Sequence, residues 1–121
     1  MVQPVRLSVP AIPRYLSAAR VVAASLGAES GLDVDELDDL RLGVNELVSL
    51  LMESAGPGGR VDLEFELGDG AVAVRGALAG PGRPVELDEL TQRIVAAVTD
   101  RYELDGTSFS LAKGPGLRDH G

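Results

Sequence analysis

Apolar and polar positions alternate along the chain in short segments of two different periods. Val5, Leu7 and Val9 alternate with Arg6 and Ser8, which predicts a half-buried strand closed by Pro10. Pro13 suits a first helical turn, where a backbone N–H would have no helical partner. Leu16, Ala19, Val22, Ala23 and Leu26 then recur at helical spacing, with Gly27 placed as the C-terminal cap. The next helix carries the clearest signals. Asp33 can cap it, Glu36 is the returning partner of a capping box, and Leu37, Leu40, Val44, Leu47 and Leu51 line one face. Gly56-Pro57-Gly58-Gly59 stops it.

The second half returns to strand periodicity. Val61, Leu63, Phe65 and Leu67 alternate with Asp62, Glu64 and Glu66, predicting a strand with one dry and one acidic face. Gly68-Asp69-Gly70 is a hairpin turn, Ala71 to Arg75 the return strand, and Gly76 to Pro84 a Gly/Pro-rich loop. A third helix follows from about Leu87, with Leu87, Leu90, Ile94 and Val98 on its buried face. Arg101 to Leu104 and Thr107 to Lys113 form a closing hairpin around Asp105-Gly106. The order β-α-α-β-β-α-β-β predicts an α+β fold, a two-layer sandwich whose mostly antiparallel sheet is covered by helices on one face.

Composition narrows the class. At 121 residues the chain is one domain, expected over residues 1–113 with a flexible tail over 114–121. Two Phe, two Tyr and no Trp leave the core to Leu, Val and Ala. No run approaches the ~20 apolar residues that span a bilayer, and Met1 to Pro10 lacks a signal-peptide core. With no cysteine either, the expected location is the cytoplasm. A net charge of −8 argues against nucleic-acid binding and favours a basic protein partner. One histidine, His120 in the tail, and no cysteine exclude a transition-metal cluster. No nucleophile elbow and no Walker loop is present.

The most specific stretch is Asp38-Asp39-Leu40-Arg41-Leu42-Gly43-Val44-Asn45-Glu46-Leu47. It resembles the N-box helix of the anti-sigma-factor serine kinases, which have the histidine-kinase-like ATPase (Bergerat) fold. Their pattern there is of the type L-R-L-A-V-(D/S)-E-A after an acidic residue. The resemblance extends over nearly the whole chain. Val61–Leu67 and Ala71–Arg75 fall on that family's central hairpin, Leu87–Val98 on its last helix, and Gly106-Thr107-Ser108-Phe109-Ser110-Leu111 on its closing G-T-x-x-x-L strand.

The resemblance implies a Mg-ATP site, and the residues depart from it. Glu46 occupies the position of the family's general base. The magnesium-binding asparagine four residues on is here Leu50, which has no oxygen to offer. In the D-x-G-x-G motif, Gly76 stands at the adenine-binding aspartate and Leu78 at the first glycine; only Gly80 fits. Gly80-Pro81-Gly82 is too short to wrap three phosphates. The vestigial nucleotide pocket therefore comprises Asn45, Glu46, Gly80, Gly82 and Thr107, with Glu46 catalytic only if catalysis survives.

Each survivor also has a plain reading. Asn45 and Glu46 read as solvated helix residues, Thr107 as a β-branched strand residue, and Gly80 and Gly82 as loop punctuation. The expectation is a protein that uses neither ATP nor magnesium. The resemblance implies a sigma factor as its partner, a STAS-domain anti-anti-sigma protein as antagonist, and homodimerisation. Arg14 and Arg20 on the first helix are the expected partner-binding pair. A divergent serine kinase using ATP, and a scaffold turned to another partner or ligand, are the alternatives.

Overall fold

The computed structural model describes residues 4–115. Along the chain come β1 (Val5–Pro10), a 3₁₀ turn (Pro13–Tyr15) running into α1 (Leu16–Glu29), α2 (Val34–Ser54), β2 (Arg60–Gly68) and β3 (Ala71–Ala79). Then follow α3 (Glu89–Val98), β4 (Arg101–Asp105) and β5 (Ser108–Lys113). The strands form one antiparallel sheet in the order β1-β2-β3-β5-β4. The predicted α+β sandwich is what forms.

Register explains why one face is dry. Leu7, Leu63, Gly76, Phe109 and Leu104 stand opposite one another across all five strands. The row beside them is Arg6, Glu64, Arg75, Ser110 and Glu103. Because side chains alternate faces along a strand, the first row meets the helices and the second meets solvent. Helix α2 lies on the dry face, with Leu40, Val44, Leu47 and Leu51 fully buried. Its start is the expected capping box: Glu36 N–H donates to Asp33 Oδ1 at 2.8 Å, and Asp33 N–H donates to Glu36 Oε1 at 3.0 Å.

Four expectations are corrected. Gly27 does not cap α1; it is buried within the helix, where an added Cβ would come 2.6 Å from Leu37 Cδ2. The helix ends instead in a Schellman motif around Gly31 (φ +89°), with Leu32 N–H donating to Gly27 O and Gly31 N–H to Ala28 O, both at 3.1 Å. Strand β3 continues to Ala79 because β2 pairs with it over its full length, so the loop begins four residues later than the glycine signal suggested. On α3, Leu90 is 69% exposed and Val95 takes the buried place; the helix begins at Glu89, capped by Asp88. Thr107 lies in the β4–β5 turn rather than in a strand.

Of the expected tail, Gly114 is buried and its N–H donates to Asp100 Oδ2 at 2.6 Å. Gly116–Gly121, His120 among them, lie outside the described residues. Among the described residues no helix is long and apolar enough to cross a membrane. No group of three or more His, Cys, Asp or Glu there could hold a metal ion.

Candidate functional site

The candidate residues on α2 project from the flank next to α1. Arg20, one turn into α1, donates from Nη1 to Asn45 Oδ1 at 2.7 Å. Asn45 Nδ2 in turn donates to Glu46 Oε2 at 3.1 Å. The three side chains are half-buried and form one polar chain joining the two helices. Asn45 and Glu46, expected as solvated residues, are thus half-buried and hydrogen-bonded, and Arg20 is engaged by Asn45 within the chain. Arg14 lies in the 3₁₀ turn, exposed, its guanidinium carbon 5.1 Å from the Tyr15 ring centroid. The structure does not pair the two arginines.

Leu50, at the position where the resemblance places a magnesium ligand, packs half-buried against the core. Gly76 sits opposite Phe109 on the dry face. An added Cβ there would come 2.7 Å from Phe109 Cζ, closer still to Phe109 Cε2, and 2.9 Å from Leu63 Cδ2. Phe109 itself is 4% exposed. The ring therefore occupies the space that any side chain at position 76 would need.

The loop after β3 folds down onto the end of α2. Gly56 N–H donates to Pro81 O at 2.8 Å, Arg83 N–H to Ser54 O at 2.9 Å, and Arg83 Nη2 to Glu53 O at 3.2 Å. The two Arg83 bonds satisfy carbonyls, Ser54 O and Glu53 O, that the last turn of a helix leaves without partners. Gly80 adopts φ +106°, and a Cβ at Gly82 would lie 2.6 Å from Leu78 Cδ1 and 2.8 Å from Ser54 O. Gly82 is required by the close approach of the loop to α2, and Gly80 by its positive φ. On the far side, Leu78 N–H donates to Thr107 O at 3.0 Å and Val85 N–H to Gly106 O at 2.9 Å. Thr107 contributes its backbone here.

Several residues at the positions where the resemblance implies Mg-ATP contacts differ from those the resemblance implies. Leu50 has no oxygen for a hard cation, Gly76 has no side chain to read a base, and Gly80–Pro84 holds no lysine. Glu46 keeps the carboxylate that the resemblance gives to the base, with Oε2 accepting from Asn45 Nδ2.

Two features escaped sequence reasoning. Lys113 Nζ, on a side chain 13% exposed, pairs with Asp39 Oδ2 at 3.0 Å and ties the end of β5 to α2. A groove of ≈ 790 Å³ lies on the uncovered sheet face, where Glu64 pairs with Arg6 at 3.1 Å and Arg75 at 3.3 Å, bordered by Glu103, Ser108 and Ser110. An interior-strand glycine facing the core was the available signal for the Phe109 contact, since such glycines mark close approach.

The profile of the histidine-kinase-like ATPase domain family matches residues 9–107. Among curated proteins, no sequence matches the chain. A solved structure of similar fold is that of the RsbU and RsbW domains of Rv1364c from Mycobacterium tuberculosis, with a TM-score of 0.67 and 16% identity. The match covers 92% of this chain and 31% of that one, so the chain spans about a third of the neighbour's length.

Proposed function

The chain belongs to the histidine-kinase-like ATPase domain family, and from that premise we propose that it is a non-catalytic regulator of the anti-sigma type. It binds a sigma factor, is antagonised by a STAS-domain partner, and does so without ATP or magnesium. The observation that carries the reading is Phe109 lying against Gly76, at the position the resemblance gives to adenine recognition. A chain that fills this space with its own ring has binding surfaces left to work with, and its net charge of −8 suits a basic partner. Homodimerisation belongs to the same proposal.

The exposed Arg14 is the better candidate of the two arginines for partner contact, since Arg20 is held by Asn45. Co-encoded sigma factors and STAS proteins are to be titrated against the wild type and Arg14→Glu, with phosphate transfer to the STAS partner assayed alongside. We expect one sigma factor to bind, Arg14→Glu to weaken it, and no phosphate to be transferred. Absence of any sigma binding would end the anti-sigma reading. A divergent serine kinase is the second reading, favoured by the retained Glu46. Phosphate transfer abolished by Glu46→Ala would establish it, because loss of a general base costs ~10²–10⁴-fold in rate.

A further inference from the structure

The segment from Gly80 to Leu87 has the position of a lid and the bonding of a structural element. It runs from the end of β3 across the last turn of α2, past the β4–β5 turn, and into Asp88, the cap of α3. Two hydrogen bonds hold it to α2, through the Arg83 N–H and guanidinium, and a third joins Pro81 O to Gly56 just beyond the helix. Val85 N–H fixes it to Gly106 O, and Leu78 N–H fixes the strand end just before it to Thr107 O. Beneath it, Leu78, Val85 and Leu87 pack against the buried cluster that contains Phe109 and Leu47. A movable lid needs weakly held ends and few apolar contacts. This segment is held by backbone hydrogen bonds at Pro81, Arg83 and Val85 and anchored by the half-buried Val85 and Leu87, while its other residues are exposed.

We propose that Gly80–Leu87, with Phe109 beneath it, is a permanently closed strap that takes the structural place of a bound ligand. It links α2, α3 and the closing hairpin into one conformation in the absence of nucleotide. The regulatory state of the protein is then set by which partner is bound and at what concentration, and not by what nucleotide is present. This rests on the proposed reading of the chain as a nucleotide-independent regulator.

Amide hydrogen exchange on the full chain tests it. The amides of Gly56, Leu78, Arg83 and Val85 should be slowed on the order of a thousandfold or more relative to an unstructured peptide, as core strands are. Millimolar Mg-ATP should leave those rates unchanged. In Gly82→Ala, the added methyl meets Leu78 and Ser54 O, so the strap amides should speed up while Val74 in β3 stays protected. Strap amides exchanging near the unstructured rate in the wild type, or gaining protection with Mg-ATP, would overturn the proposal. So would a Gly82→Ala variant whose strap exchanges unchanged. A protected strap in a chain that binds no sigma factor would leave this inference standing and remove only the anti-sigma reading; an open strap in a chain that binds one would do the reverse.

Discussion

Along its α1 flank, helix α2 is joined to its neighbour by a polar chain, Arg20 to Asn45 to Glu46. Along the flank that meets α3 and β5, the contacts around Gly43 are carbon, and the single Lys113–Asp39 ion pair ties α2 to the end of β5. A Cβ added at Gly43 would come 3.2 Å from Thr99 Cγ2 and 3.6 Å from Leu111 Cδ2. At its end α2 is closed by the strap through backbone hydrogen bonds. Asn45 and Glu46, at positions where the resemblance implies the N-box, make hydrogen bonds within the chain, whereas Leu50 and Gly76 stand where it implies the magnesium and adenine ligands. A retained motif residue is therefore weak evidence of retained chemistry. Asn45 bonds across to α1 through Arg20, and Glu46 accepts from Asn45 on the same helix.

The contrast can be broken first at Phe109. Phe109→Ala should cost about 3–5 kcal/mol in denaturant unfolding, through lost burial and the cavity left behind. A cost below about 1 kcal/mol would mean the ring does not fill the space under the strap. Gly76→Ala should cost about 1–3 kcal/mol by overpacking against the same ring. That cost should shrink in the Phe109→Ala background, since touching residues couple while distant ones add. On the polar flank the effects should be smaller. Asn45→Ala should cost about 0.5–1.5 kcal/mol, the usual net worth of a hydrogen bond, and Glu46→Ala less, since Glu46 is the end of the chain. Equal costs on the two flanks would erase the distinction drawn here.

The smallest effect is a pH dependence at the start of α3. Asp88 accepts from Thr91 N–H at 2.7 Å, and that bond holds its carboxyl below the usual aspartate value. A depressed folded-state value stabilises the protein above the unfolded carboxylate range, and the stabilisation is lost as pH falls through the folded value. Asp88→Asn should flatten that part of the acid-unfolding profile, because the pH-dependent contribution of the carboxylate is then gone. An acid limb identical in both proteins would remove Asp88 as its cause.

How much of this was legible depended on the range of the interaction. The capping box of Asp33 and Glu36 and the stripe Leu40–Leu51 are written within one helix, so periodicity finds them. The two hairpin pairings, β2–β3 and β4–β5, followed from alternation plus turn glycines, whereas the pairings of β1 with β2 and of β3 with β5 had no local signal. Leu90 was misplaced because apolar identity does not say which of two adjacent stripes meets the core; Val95 and Val98 do, and Leu90 faces solvent. Gly27 and Gly76 were misread for a related reason. A glycine required by close packing looks, in one dimension, like a glycine required by a turn. The polar chain from Arg20 to Asn45 spans 25 positions, and the Lys113–Asp39 pair spans 74. No local pattern reports either one.

The central claim, that this member of the family works without nucleotide, is tested most directly by thermal unfolding of the wild type across a Mg-ATP titration into the millimolar range. The melting temperature should stay constant, because a ligand that does not bind the native state cannot stabilise it. A saturable, Mg²⁺-dependent rise would contradict the account, since ligand at 100 times its dissociation constant stabilises by about 2.7 kcal/mol.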